Sequence, residues 1–165
     1  MSDTQDQDQN QYKDPRHLAR LLALQYLYSK YFAQKFDIKN NVFEPQTLLD
    51  AIDETKFDKN LYIKIIEGVE KYESTIDELT QEMAPQWPLD QLNPINLIIL
   101  RIAIWEGFIG DITPPKVAIN EAIELDKALS TVSNSAFING VLGNIYADQN
   151  LQKRLKEELK AKYGE

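Results

Sequence analysis

The stretch that decides the fold is TPPKVAINEAIELDKALSTVSNSAFINGVLGNIY, residues 113–146. Its apolar residues recur at steps of three and four, first over 117–129 and again over 137–145, which is the spacing of two amphipathic helices. Thr113 can cap the first helix, and the prolines after it suit a first helical turn, where no N–H is required. A polar segment, 130–133, separates the two patterns. We therefore predict a helical hairpin, whose apolar faces need a partner surface.

The segment before the hairpin predicts a buried helix. Asn93-Pro94 places a capping side chain before a first-turn proline, and INLIILRIAIWEGFI, residues 95–109, is apolar on nearly every side. This should be the central helix of the fold. The preceding run, APQWPLDQLNP, holds three prolines and should be an extended crossover anchored through Trp87. We place a subdomain boundary in that crossover.

The remaining helices are predicted from caps and from the same apolar spacing. Asp14-Pro15 opens a helix that runs to about Phe36, and a C-terminal amphipathic helix with leucine at every fourth position ends at Gly164. Three shorter helices begin at Pro45, at Asp58 or Asn60, and at Ser74 or Thr75 toward Met83. No stretch alternates as a strand would. The predicted fold class is all-α, with about seven helices plus a C-terminal extension.

The first twelve residues contain nothing apolar between Met1 and Tyr12. Burial cannot offset the entropy of ordering them, so we predict a disordered tail over 1–12 that can be removed without changing the melting temperature. We assign the rest of the chain to one domain and an extension: a domain over 13–149, with an N-terminal bundle at about 13–84 and a C-terminal bundle at about 91–148, and an extension over 150–165.

The charge of the chain is unevenly distributed. The 165 residues carry a formal net charge of −8, which disfavours unspecific attraction to nucleic acids or membrane surfaces. Between Lys13 and Lys39, however, there are six basic side chains and two acidic ones, so this segment has a charge of +4 and the rest −12. A basic helix on an acidic body is the asymmetry expected where one end meets a polyanion.

Composition also argues against several classes of protein. The chain has no cysteine, which excludes disulfides, thiolate zinc sites and thiol nucleophiles. No apolar run approaches the roughly 20 residues of a membrane helix, and the N-terminus lacks the basic and apolar regions of a signal peptide. With one histidine, no Gly-rich phosphate loop and no metal-ligand spacing, we expect no enzyme activity, cofactor, metal or small-molecule substrate. We expect a soluble, cytoplasmic protein.

Three blocks of this sequence together resemble one family. KVAINEAIEL (116–125) and FINGVL (137–142) resemble the C-terminal signature of the bacterial NusB transcription-antitermination factors, where the second run is usually FVNGVL. ILRIAIWE (99–106) is similar to that family's ILRLAxYE helix, and ARLLALQYLY (19–28) to its ARxxALQxLY helix. The blocks stand in family order. The resemblance implies a NusB-like fold, with two helical bundles packed around the central helix.

The resemblance also implies a function in transcription. Members of that family bind single-stranded boxA RNA of ribosomal RNA operons with NusE, a ribosomal small-subunit protein, in an RNA polymerase antitermination complex that reads through terminators. The implied RNA-binding residues are Lys13, Arg16, His17, Arg20, Asn134 and Phe137. Arg16 and Arg20 are four residues apart, so both should project from one helical face. The ring of Phe137 can stack on a base and still cover a hydrophobic edge.

The resemblance places the NusE surface near the first helix and the start of the central helix. Its implied residues are Tyr28, Asp90 and Asn96. Many members read LDRVE before the central helix, and this chain has LNPIN at 92–96, which replaces a charged edge by an uncharged one.

Three further residues within the helical blocks each carry an expectation of their own. Arg101 lies inside the central helix and needs a partner if it is buried, and we predict an ion pair with Glu121, with Glu106 as a second candidate. Asp126 stands where the family commonly has a small apolar residue, so it should either be exposed to solvent or mark an altered partner surface. Gly140 should let two helices approach closely.

Two other functions stay open. A related helical domain precedes the catalytic domain of the small-subunit rRNA cytosine methyltransferases, so this chain could be a stand-alone RNA-binding module that assists such an enzyme. It could also be a protein-interaction scaffold with weak or no RNA binding, which the acidic body and the thinned arginine cluster favour. A pull-down tests whether the protein associates with such a methyltransferase. Measuring RNA binding with and without NusE distinguishes the scaffold from an RNA-binding factor.

Overall fold

The structure, a computed structural model, describes residues 14–38, 56–130 and 134–164. Within these ranges there are six α-helices and no strand, so the all-α prediction is confirmed. The helices are α1 (Pro15–Lys35), α2 (Lys59–Met83), α3 (Pro94–Ile104), α4 (Pro115–Leu129), α5 (Ser135–Ala147) and α6 (Gln149–Tyr163). None of these helices is both long and apolar enough to cross a membrane. The predicted tail over 1–12 and the helix at Pro45 lie outside the described residues.

The chain divides into two compact units between Glu70 and Lys71, inside α2. The boundary suggested by the prolines lay later, in the crossover over 84–94. The prediction of a new helix at Ser74 or Thr75 is wrong, because α2 continues without a break to its end. Thr75 is buried, and its hydroxyl lies 3.2 Å from that of Tyr163 instead of capping a new helix.

In the first unit, aspartates cap both helices. Asp14 Oδ1 accepts the Arg16 N–H at 2.9 Å, which confirms the predicted cap of α1. Asp58 Oδ1 accepts the Leu61 N–H at 3.0 Å, so Asp58 rather than Asn60 caps α2. The Asp58 N–H also donates to the Pro15 carbonyl at 3.0 Å, which ties the starts of the two helices together.

The second unit is organised around α3, as predicted. Asn93 caps this helix by accepting the Ile95 N–H at 2.9 Å, and every residue from Asn96 to Ile104 is buried. A π-helical turn, Trp105–Ile109, continues it. The α3 helix packs against α4 and α5, which form the predicted hairpin. A Cβ added to Gly107 would lie 3.1 Å from the Ala118 Cβ, so this glycine permits the π-helical turn to approach α4.

The start of α4 differs from the prediction. Helix α4 begins at Pro115, Pro114 occupies the N-cap position, and no side chain caps it. The prediction that Thr113 is the cap is wrong. Thr113 is buried, and its hydroxyl donates to Glu106 Oε1 at 2.9 Å, while the Glu106 carbonyl accepts the N–H groups of Ile112 and Thr113. Glu106 therefore fixes the loop that leads into the hairpin.

The predicted C-terminal helix is present as α6, whose leucine stripe is buried: Leu151, Leu155 and Leu159. It lies along the part of α2 that belongs to the second unit. Arg154 forms a bidentate pair with Glu82 at 2.6 and 2.7 Å, and Lys162 lies 3.5 Å from Glu78. The helix ends at Gly164, whose φ of +72° is the left-handed conformation common after helices.

Candidate nucleic-acid interface

A groove of about 180 Å³ opens on the second unit, where the crossover before α3 meets the start of α5. It is lined by Trp87, Gln91, Leu92, Asn93, Asn96, Asn134 and Phe137. None of these described residues is charged, and Trp87 is 51% exposed. The structure thus brings together Asn134 and Phe137, predicted for RNA, and Asn96, predicted for the protein partner. Trp87 was predicted only to anchor the crossover, but its ring is half-exposed in the groove, and no signal in the sequence distinguishes the two roles.

The wall of the groove that carries Trp87 is held by the end of α2. The Gln81 side-chain amide donates to the Ala84 carbonyl at 3.1 Å and to the Trp87 carbonyl at 3.2 Å. The Trp87 N–H in turn donates to the Ala84 carbonyl at 3.0 Å. The crossover then makes one 3-10 turn, Leu89–Gln91, before α3. Trp87 therefore lies in a turn that is held by hydrogen bonds.

The part of the groove at the start of α5 is held by Asp126, which is fully buried at the end of α4. Its carboxylate accepts the Ser130 hydroxyl at 2.7 Å, the Asn134 N–H at 3.0 Å and the Ser135 hydroxyl at 3.0 Å. The expectation that Asp126 faces solvent or marks an altered partner surface is therefore wrong. The carboxylate joins the end of α4 to the start of α5, and so positions Asn134 at the groove.

Asn96 is the buried polar residue in the lining of the groove. This side chain is 2% exposed, and its Oδ1 has no hydrogen-bond partner among the described residues. A buried acceptor without a donor costs about 1–3 kcal/mol, and such groups are rare in folded proteins. The charged edge of the family motif is thus replaced here by an uncharged, buried amide.

The basic helix α1 is less exposed than predicted. Arg16 is exposed, but His17 is buried and Arg20 is only 2% exposed. The prediction that Arg16 and Arg20 share one exposed face is wrong, because Arg20 lies on the stripe of Ala23 and Leu27, which are also buried. Lys13 lies outside the described residues. Arg16 is thus the predicted α1 cation that the structure presents to solvent.

The residues predicted to contact the protein partner differ in environment. Tyr28 is half-buried and its ring centroid lies 6.3 Å from that of Phe32, which is itself 4.6 Å from Phe36. These rings form an aromatic row on α1. Asp90 is exposed in the 3-10 turn, whereas Asn96 is buried in the groove.

The buried arginine of α3 is paired with carboxylates of α2. Arg101 donates to both carboxylate oxygens of Asp77, at 2.9 and 2.8 Å, and Glu73 adds a contact at 3.3 Å. The bidentate partner, Asp77 on α2, was not predicted from the sequence, and the ion pair with Glu121 stays a prediction. The close-packing role predicted for Gly140 is also wrong, because a Cβ added there would meet nothing within 4 Å.

Together, the buried α3, the hairpin packed on it and the uncharged aromatic groove define an all-helical protein. Within the described ranges, no group of three or more histidine, aspartate or glutamate side chains is arranged to hold a metal ion. A family model described as the NusB family matches residues 17–147. The chain belongs to the NusB family. The match includes both walls of the groove and ends before α6.

Relatives support this assignment. The chain is 33% identical to the transcription antitermination protein NusB of Dehalococcoides mccartyi, over 79% of this chain and 88% of that protein. It is 45% identical to the protein of that name from Clostridium novyi, over 52% of this chain and 65% of that protein, and 43% identical to that of Paenarthrobacter aurescens, over 50% and 61%. The chain thus spans less than two thirds of these last two relatives.

The fold is shared with solved structures. The structure of T. maritima NusB has a TM-score of 0.67 and 29% identity, and the match covers 88% of this chain and 99% of that one. A chain in a structure described as a plectonemic RNA supercoil matches with a TM-score of 0.57 and 21% identity, over 78% and 94% of the two chains. At that identity the second match supports the fold alone.

Proposed function

We propose that this protein is a transcription antitermination factor that binds single-stranded boxA RNA of ribosomal RNA operons. In this proposal it acts together with NusE, the ribosomal small-subunit protein, and the pair supports read-through by RNA polymerase. The observation that carries the proposal is the groove, in which the signature residues Asn134 and Phe137 lie beside the exposed ring of Trp87. Aromatic rings beside amide side chains are the usual means of binding unpaired bases.

The charge of the chain favours RNA only locally. The chain carries a formal charge of −8, so RNA is not attracted by the protein as a whole. Arg16 is exposed at the start of α1 and can bind a phosphate, whereas the burial of Arg20 lowers the number of cations available. We therefore expect binding in which stacking and amide contacts contribute more than counterion release, and whose salt dependence is shallow.

The test is a titration of fluorescently labelled boxA RNA with the protein, alone and with NusE, at several salt concentrations. Trp87→Ala removes a stacking surface and should weaken binding about tenfold, since base stacking contributes about 1–3 kcal/mol. Arg16→Glu should weaken binding and make the salt slope shallower by about 0.7, the value for one phosphate on a single strand. Lys153→Glu is the matched control, because Lys153 is exposed on α6, outside the family match.

One observation favours a second function. The burial of Arg20 and His17 removes two of the predicted RNA contacts from the exposed part of α1. A protein-interaction scaffold without RNA binding would fit that change. If the folded wild-type protein associates with NusE but gives no RNA titration in either condition, the scaffold replaces the antitermination proposal.

A further inference from the structure

We propose that Gln81 is a positioning residue for RNA binding. It orders the turn that carries Trp87 in the free protein, so that less freedom is lost when an unpaired base stacks on the indole ring. The inference rests on the proposed RNA-binding function and deepens it, because Gln81 is not one of the residues that line the groove. Two hydrogen bonds of the Gln81 amide and the exposure of Trp87 carry it.

The indole ring of Trp87 is not held in place by burial. The residue is 51% exposed, so about half of its surface gains nothing from contact with the rest of the protein. A tryptophan in a core is ordered by its neighbours on all sides, whereas the order of this one depends more on its backbone. The turn that contains Trp87 therefore determines how well the ring is placed before a ligand binds.

The backbone of this turn is restricted by its sequence. The Trp87 N–H donates to the Ala84 carbonyl at 3.0 Å, which closes a four-residue turn over 84–87. Pro85 occupies the second position of the turn, where the fixed φ of proline is favourable. Pro88 follows Trp87 and disfavours helical backbone angles at the tryptophan. These two prolines reduce the number of conformations that the turn can adopt.

Gln81 joins this turn to α2. Its side-chain amide donates to the carbonyl of Ala84 at 3.1 Å and to the carbonyl of Trp87 at 3.2 Å. These carbonyls belong to the first and last residues of the turn, so one side chain links both of its ends to the last turn of the helix. A glutamine amide has two N–H donors, which suits it to this double contact.

A double-mutant cycle on labelled boxA RNA tests the role of Gln81. Gln81→Met removes both donors at similar volume and should weaken RNA binding about two- to tenfold, since ordering one large side chain on binding costs free energy of that size. In the Trp87→Ala background the same change should leave the affinity unaltered, because the ring that it orders is absent. A general structural role of Gln81 would instead weaken binding equally in both backgrounds.

The ordering of Trp87 can also be measured without RNA. The chain has two tryptophans, so in the Trp105→Phe variant the fluorescence comes from Trp87 alone. Gln81→Met should increase the amplitude of its nanosecond motion in time-resolved anisotropy. Gln86→Met is the matched control, because Gln86 is an exposed glutamine of the same turn, and it should change neither the anisotropy nor RNA affinity.

A second variant loosens the same turn by another route. Pro85→Ala removes the restriction of the backbone and leaves the Gln81 amide in place. It should show the same dependence on Trp87 in the cycle, and it keeps the inference testable if Gln81→Met does not fold. Urea unfolding followed by circular dichroism verifies the folding of each variant.

The outcomes distinguish this inference from the proposed function. If the wild type binds boxA RNA and folded Gln81→Met binds it as tightly, or loses the same affinity with and without Trp87, the positioning role is overturned and the RNA-binding function stands. Unchanged anisotropy of Trp87 in Gln81→Met also overturns it. If the folded wild type binds no boxA RNA with or without NusE, the RNA-binding function fails and the inference fails with it.

Discussion

Replacing Asp126 by alanine tests whether one buried carboxylate holds the hairpin and the groove together. Among the described residues, its two oxygens accept hydrogen bonds from the Ser130 hydroxyl, the Asn134 N–H and the Ser135 hydroxyl. Hydrogen bonds to a charged group contribute about 1.5–3 kcal/mol each, but the two hydroxyls can turn to water when the acceptor is removed. We therefore expect Asp126→Ala to lower the free energy of unfolding by about 2–4 kcal/mol.

Urea denaturation followed by circular dichroism measures this loss. For a chain of this size, 1 kcal/mol corresponds to about 2–4 °C, so the melting temperature should fall by about 4–16 °C. Lys127→Ala is the neighbouring control. It removes only an exposed contact of 3.9 Å with Glu124 and should change stability by no more than about 0.5 kcal/mol. Equal unfolding midpoints for the two variants would refute the role assigned to Asp126.

The same variant links stability to RNA binding. Asn134 is held at the groove by its N–H bond to Asp126, so the start of α5 should become less ordered in Asp126→Ala. We expect RNA affinity to fall in this variant even at temperatures where it is fully folded. Asp126→Asn keeps one acceptor oxygen and should give intermediate values of both stability and affinity.

Three further predictions concern stability. Asp77→Asn should lower the free energy of unfolding, measured in urea titrations, by about 3 kcal/mol, because it leaves Arg101 buried without its bidentate partner. The double variant with Arg101→Met should recover part of this loss. Burial, and secondarily Tyr26, raise the pKa of Tyr62 from 10.0 to about 12. The fold therefore favours the neutral phenol of Tyr62. The free energy of unfolding should be unaffected by this group below pH 10 and should fall by up to about 2–3 kcal/mol as the pH rises from 10 to 12. Tyr62→Phe should flatten that part of the curve of stability against pH. Truncation after Asp148 should lower the free energy of unfolding by on the order of 5 kcal/mol, because α6 and its three buried leucines are lost. Arg154→Ala breaks only an exposed ion pair, so calorimetry should show a loss of no more than about 1 kcal/mol.

Local signals in the sequence predicted the helices well. The caps at Asp14, Asp58 and Asn93 are each followed by the hydrogen bond that the sequence implied. These predictions succeed because a cap and its N–H lie two or three residues apart and need no knowledge of the tertiary fold. The wrong prediction at Thr75 has the same origin, because it rests on a local capping signal alone. A hydroxyl that can cap a helix can also lie inside one, and only the packing of α6 distinguishes the two.

Tertiary placement accounts for the errors at the candidate site. Arg20 carries a charge, yet its helical position puts it on the buried side of α1. Asp126 looked like a departure from an apolar pattern, and its role depends on donors four to nine residues further on, which meet it only when the hairpin closes. Trp87 and Asn96 are nine residues apart and share a groove because of the turn between them. None of these relations follows from spacing alone.

Asn96 also has a consequence for how this protein would respond to selection. Its buried acceptor makes the unliganded protein less stable than one with leucine at the same place. A screen that rewarded only heat resistance would therefore select against Asn96 early. Conversely, a chain that keeps Asn96 retains a buried amide at a cost in stability.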